Sequence, residues 1–185
     1  FQLPPWLLEY AATYRNTTEY PTQMAFVIGA AEQNVQRRTG GPFAAAIFEQ
    51  QSGALVSLGV NLVLTQSLSM LHAEIVAIAL AQRKIGDYDL GGPDQPLHRL
   101  VSSTEPCAMC LGAITWSGIS EVITGATDQD ARAIGFDEGP KPAQWTLNLR
   151  QRGIQVAERV CQAQARQVLQ HYAESGGHRY NSRER

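Results

Sequence analysis

The sequence carries little net charge, few cysteines and no long apolar run, and each shortage removes a class of protein. Fifteen Lys and Arg against seventeen Asp and Glu leave a formal net charge of −2 over 185 residues. Without clustered basic residues the chain lacks the electrostatic footprint that a phosphate backbone requires, so nucleic acid is not its expected partner. Three cysteines make a poor disulfide framework, because the number is odd and Cys107 and Cys110 stand too close in sequence for an ordinary structural bridge. A reducing, cytoplasmic setting is expected. No stretch of about 18 apolar residues occurs, so no membrane-spanning helix is expected. The opening FQLPPWLLEY has neither the basic region nor the small-residue cleavage site of a secretory signal, and the absent initiator Met fits a trimmed or partial N-terminus.

What is present describes a compact fold. Hydrophobic residues at 44% and charged residues at 17% argue against disorder, and a chain of this length buries roughly 70% of its unfolded surface. Pro5 and Pro21 open two helices, the second ended by Gly40-Gly41. PFAAAIFEQ and ALVSLGVNLVL read as strands joined by a hairpin at Gln51-Ser52-Gly53. A helix follows from His72 to about Ile85, then a Gly/Pro/Asp-rich surface loop. LHRLVSST, CAMCLGAITWSG and SEVITGAT alternate strand, helix and strand, which calls for parallel pairing. A helical turn, the helix AQWTLNLRQRG, a last strand IQVAERV and an amphipathic helix complete the chain. The expected fold is α/β: a three-layer α/β/α sandwich with a mixed sheet of about five strands.

No internal repeat or long linker divides the chain. One domain over 1–185 is expected, with N-terminal helices in 1–40, a catalytic core in 41–139 and a C-terminal helical segment in 140–185. The only basic tract, HRYNSRER, with Arg179, Arg183 and Arg185, reads as a solvated tail.

Two short stretches carry chemistry. Cys107 and Cys110 are one helical turn apart behind Pro106, where the free N–H groups of a helix N-terminus favour thiolate over thiol. Two thiolates half-build a tetrahedral zinc site, and a third nitrogen ligand with one open position is the catalytic arrangement. His72, at another helix start that follows a strand, is the natural third ligand. Glu74, on the same first turn, is the base that a water nucleophile needs. Alone, Cys-x-x-Cys reads equally as a redox pair and His72 as a structural histidine. Together, His-x-Glu and Pro-Cys-x-x-Cys form the signature of zinc-dependent base deaminases.

With those residues in hand, the chain resembles the cytidine-deaminase-like zinc hydrolases, and within them the bacterial guanine deaminases. The resemblance runs from about Gly41 to Gly139 through GGPFAAAIF, GVNLVLT, HAEIVAIALA, EPCAMCLGAITWSGI and GATDQDARAIGFDEG. It implies one Zn2+ per chain and a small-molecule purine substrate, guanine going to xanthine and ammonia, with Glu74 moving protons to the ring nitrogen and then to the departing amine. By the same resemblance Asn61 meets the O6 and N7 region, Asp137 and Glu138 are the candidate acceptors for the base's N–H edge, and Glu138 is a second proton carrier. Phe43 and Trp116 are stacking walls or, alternatively, core. The resemblance also implies a homodimer, in which the apolar face of the zinc-bearing helix, near Ile114 and Trp116, is covered.

One departure concerns the lead-in to His72, where SLSMLHAE replaces a polar segment with Met70 and Leu71. That widens the expected substrates to related amino-heterocycles such as aminated triazines. Two other readings remain: an adenosine deaminase acting on tRNA, which needs a basic groove, and a non-catalytic zinc-stapled binding module, which needs a fourth protein ligand.

Overall fold

The structure, a computed structural model, describes residues 1–181, so Arg183 and Arg185 lie outside the described residues. Helices α1 (Pro5–Ala12) and α2 (Tyr20–Gln36) each carry proline in the first turn, where the missing N–H has no helical partner to lose. Helix α2 stops at Gln36, short of Gly40-Gly41, because Arg38 takes left-handed backbone at φ 55°. Strands β1 (Ala44–Glu49) and β2 (Leu55–Val60) form the expected hairpin, with Gly53 at φ 66° in the turn.

Strand β2 ends at Val60, where the sequence reading continues it to Leu64. The Asn61 side chain accepts a hydrogen bond from the Val63 N–H at 3.2 Å, and a single helical turn, α3 (Val63–Gln66), follows. A short polar side chain that bonds its own backbone competes with the strand ladder, and here it wins.

Helix α4 (Ala73–Ile85) is terminated by left-handed Gly86. Strand β3 (His98–Thr104), helix α5 (Ala108–Trp116) and strand β4 (Glu121–Ala126) make the predicted parallel crossover. Helix α6 (Asp128–Ala133) opens with a capping box between Thr127 and Asp130. Helix α7 (Trp145–Gln151), strand β5 (Gln155–Ala157) and helix α8 (Gln162–Glu174) complete the described order.

The sheet runs β2-β1-β3-β4-β5. Strand β1 is antiparallel to both neighbours, whereas β3, β4 and β5 pair in parallel. The carboxyl ends of β2, β3 and β4 therefore share one edge with the amino end of β1. That edge is where ligands meet open α/β sheets.

Alternation along the strands divides the core into two layers of contact. Ala44, Ala46, Phe48, Val101 and Ile123 pack with residues of α1, α2 and α8, while Ala45, Ile47, Leu100 and Val122 pack with residues of α4, α5 and α7. Three layers result, as expected. The sheet is not confined to 41–139, because β5 comes from the C-terminal segment.

Helix α4 lies unusually close to β2, and the reason is a lack of side chain. A Cβ built on Gly59 would stand 2.5 Å from both the Ala73 carbonyl oxygen and the Ala77 nitrogen, so backbone meets backbone. Ala73 and Ala77 are fully buried at this contact. Because α4 begins beside His72, its seat on β2 fixes where that histidine stands. Gly59→Ala is expected to push α4 outward and to destabilise the protein by about 1–3 kcal/mol. Urea unfolding checks the loss, and unchanged stability would show that α4 is free to shift.

Candidate active site

His72 is the N-cap residue of α4 and Cys107 that of α5. Two helix N-termini thus come together at the shared sheet edge. His72 Nδ1 and Cys107 Sγ are 3.4 Å apart, and His72, Cys107 and Cys110 each bring one donor atom within 4.8 Å of the others. Tetrahedral angles with ordinary zinc–nitrogen and zinc–sulfur bonds require about 3.5 Å between such a nitrogen and sulfur. The two soft sulfurs and one imidazole therefore fit a metal of that kind. Among the described residues no fourth His, Cys, Asp or Glu joins the cluster.

Glu74 is buried beside this cluster without belonging to it. Its Oε2 accepts from Cys110 Sγ and its Oε1 from Ser102 Oγ, both at 3.4 Å. Ser102 escapes the sequence reading, since a serine inside LHRLVSST gives no sign of which face of β3 it occupies. Here it steadies a carboxylate.

The acid–base balance follows from crowding. A hydrogen bond from Cys110, reinforced by His72, holds Cys107 down at about 4, and Cys110 is pushed well up by that same bond and by burial. Burial pulls His72 down, but the Cys107 thiolate raises it overall. Glu74 is raised by burial and then by the negative Cys107. Burial, with Cys107 and Glu74, pushes Glu138 up to about 8, against an opposing pull from Lys141.

These groups open onto a cavity of about 310 Å³ whose walls include Phe43, Asn61, His72, Glu74, Glu138 and Tyr180. Asn61 presents a defined polarity. Its Oδ1 is committed to the Val63 N–H, so Nδ2 is left over, buried and with no partner among the described residues. The Tyr180 hydroxyl is likewise buried and has no partner among the described residues. Phe43 proves to be both wall and packing residue, lining the cavity and meeting Phe136 edge-on at 5.0 Å.

Asp137 and Glu138 separate clearly. The Asp137 side chain is 56% exposed and accepts from the Gly139 N–H at 2.9 Å. Glu138 is 6% exposed and faces inward as a wall of the cavity. Its loop is pinned by its own carbonyl, which accepts from the Ala108 N–H at 3.0 Å, and by Lys141, which pairs with buried Glu105 at 2.7 Å.

Two expectations are corrected. Trp116 does not wall the cavity: it is 85% exposed at the end of α5, on the face away from the core. The phase of α5 decides this, since Cys110 and Ile114 point inward and Trp116 falls on the other side. Nor is the C-terminal tract simply a solvated tail. Arg179 donates to the Ile134 carbonyl at 2.7 Å, Asn181 Oδ1 accepts from the Asp137 N–H at 2.9 Å, and Tyr180 and Asn181 line the cavity. Only an aromatic residue within a polar tract hinted at this.

Residues 17–126 match the family described as the cytidine and deoxycytidylate deaminase zinc-binding region. The chain is 37% identical over 119 residues to a guanine deaminase from Bacillus subtilis, covering 64% of this chain and 72% of that protein. A solved guanine deaminase from Nitrosomonas europaea superposes with a TM-score of 0.90 at 39% identity, covering 94% of each chain. Another solved chain, in complex with 2,6-diaminopurine, gives a TM-score of 0.91 at 40% identity, covering 97% of this chain and 95% of that one.

The buried Tyr180 hydroxyl predicts an asymmetry between two substitutions. Tyr180→Phe removes a group that has no partner among the described residues and is expected to leave stability unchanged or slightly higher. Tyr180→Ala removes the ring packed 5.0 Å from Phe136 and is expected to cost about 2–3 kcal/mol. Thermal melts of the two variants check it; equal losses would show that the hydroxyl is satisfied.

Proposed function

The chain belongs to the cytidine and deoxycytidylate deaminase family, and we propose that it hydrolyses guanine to xanthine and ammonia. The observation that carries this reading is a buried carboxylate, Glu74, which lines the cavity beside a His/Cys/Cys donor set yet stands outside it. Relatives named as guanine deaminases, and one solved with 2,6-diaminopurine, support a purine base as the ligand.

His72, Cys107 and Cys110 would hold zinc. Bound there, zinc supplies a Lewis acid that makes water nucleophilic near neutral pH. The remaining steps belong to the chain. As water oxygen bonds to C2, Glu74 takes a water proton and passes it to the adjacent ring nitrogen. It then takes the second proton and delivers it to the amine as the C2–N bond breaks, leaving a carbonyl and ammonia. Ser102 holds Glu74 through Oε1, which leaves the other oxygen toward the donor cluster.

Recognition rests on groups left free among the described residues. Asn61 Nδ2 can only donate, so it meets an acceptor on the base, O6 or N7. Glu138, inward and buried, meets the N–H edge or the leaving amine, whereas Asp137 holds the loop through Gly139. Phe43 stacks against the base.

Among the described residues the mouth is lined by Glu105, Asp137 and Glu138 and by no Lys or Arg, which supports a small base over tRNA. A stapling module would need a fourth ligand, and the described residues bring none to the cluster. An aminated triazine presents the same amine next to a ring nitrogen and is the second substrate class to assay.

The apolar outer face of α5 supports a homodimer. Met109, Gly112 and Trp116 follow at helical spacing and are exposed, although a helix that is apolar all round is normally covered. A partner over this face gives a particle of twice the 20.2 kDa chain mass. Sedimentation equilibrium is expected to show that dimer, and Trp116→Glu to shift it to monomer. A monomeric parent overturns this part alone.

Purified protein is expected to release ammonia from guanine and not from tRNA. Glu74→Gln should keep its zinc while losing at least about a hundredfold in turnover, as read by ammonia release and elemental analysis on the same sample. An active Glu74→Gln variant, or a metal-free parent that turns over, would sink the proposal.

A further inference from the structure

Asn34 lies near the end of α2, fully buried, and is not among the residues lining the cavity. Its side chain is nevertheless committed to the frame of that cavity. One Nδ2 hydrogen is donated to the Gly41 carbonyl at 2.8 Å and the other to the Asn61 carbonyl at 3.0 Å. Oδ1 accepts from the Thr39 hydroxyl at 2.7 Å, so the orientation of the amide is fixed by a donor on its oxygen side.

The target of this clamp is the residue whose own amide has one free donor. Asn61 is held at its nitrogen by the Phe43 carbonyl at 3.0 Å, at its side-chain oxygen by the Val63 N–H at 3.2 Å, and at its carbonyl by Asn34. Nδ2 alone is left without a partner among the described residues, on a residue that lines the cavity. Close packing leaves the arrangement no slack. A Cβ on Gly40 would stand 1.8 Å from the Asn61 carbonyl oxygen and 2.7 Å from Asn34 Nδ2.

We propose that Asn34 is a positioning residue for base recognition: it fixes the Gly41–Phe43 wall and the Asn61 amide relative to one another, and so sets where the free Asn61 donor points. The inference rests on the reading of Asn61 as a base contact. An apolar residue at 34 would leave two buried carbonyls without donors, and those carbonyls would turn toward other partners, carrying Asn61 with them. Asn34 touches neither the base nor the donor cluster, so its loss should appear in binding and not in metal content.

Guanine binding to the zinc-loaded Glu74→Gln protein separates recognition from turnover. In that background Asn34→Ala and Asn61→Ala are each expected to weaken Kd about tenfold, with zinc content unchanged. The double variant should be no more than about twofold weaker than Asn61→Ala alone. An additive, roughly hundredfold loss in the double variant overturns the proposal, as does full-strength binding by Asn34→Ala.

If Asn61→Ala binds like its parent, Asn61 is not a base contact and the clamp has nothing to aim, so both readings fail. Should the parent bind no guanine while holding zinc, the guanine reading fails first and takes this one with it. Where Asn34→Ala does not fold, Thr39→Val provides the same cycle more gently. It removes the donor that orients Asn34 and should weaken binding two- to threefold, an effect that disappears in the Asn61→Ala background.

Discussion

Three acidic groups buried together beside one histidine are the constraint that the rest of this architecture serves. Two unit charges 4 Å apart interact by about 4 kcal/mol at the effective dielectric of a protein site, so Cys107, Cys110 and Glu74 cannot all ionise together. The chain on its own resolves the conflict with protons. Cys107 ionises readily, at about 4, while Cys110 and Glu74 are both pushed toward their neutral forms. A divalent cation between the sulfurs and the imidazole would remove that conflict and release protons as it binds. It would also reinforce the join between the starts of α4 and α5, which otherwise meet through the His72–Cys107 and Glu74–Cys110 contacts.

The sheet topology explains why such crowding can be built at all. With β1 running against its neighbours, the chain enters β1 and leaves β2, β3 and β4 at the same edge. Phe43 leads into β1, and Asn61, Cys107 and the loop through Glu138 each follow from one of the other strand ends or its next helix. Close approach then depends on small residues: Gly59 under α4, and Gly40 against the Asn61 carbonyl. The polar side chains that tune the site are consequently carried by backbone with little freedom to drift.

Legibility in the sequence tracks the range of the interaction. His72, Glu74, Cys107 and Cys110 are readable because helical spacing relates each pair and strand–helix alternation relates the pairs to one another. The three-layer fold follows from the same alternation. Trp116 was misassigned because the phase of α5 is set by the sheet beneath it, and an all-apolar helix carries no periodic sign of which face that is. The end of β2 is not legible because nothing in the local pattern tells whether Asn61 bonds a ligand or, as it does, its own backbone at Val63. Ser102 and Asn34 act through partners 28 and 27 residues away, and Tyr180 folds back over a loop more than forty residues earlier, as Asn181 does onto Gly135. No local pattern announces such contacts.

The way the pocket is closed bears on how it could discriminate. Phe136 is packed between Phe43 at 5.0 Å, Tyr180 at 5.0 Å and Tyr172 at 6.0 Å, so the cover is an aromatic cluster continuous with the core. A base that offered a donor to Asn61 Nδ2 would leave two donors facing each other at a buried position, and sites built to hydrogen-bond a group reject analogues lacking it far more strongly than apolar pockets reject a missing methylene. The polarity of Asn61 is fixed by a backbone N–H, which has no alternative role, and not by another side chain that could rotate. Discrimination among amino-heterocycles would therefore turn less on the size of the cavity than on whether an acceptor stands opposite that single free donor.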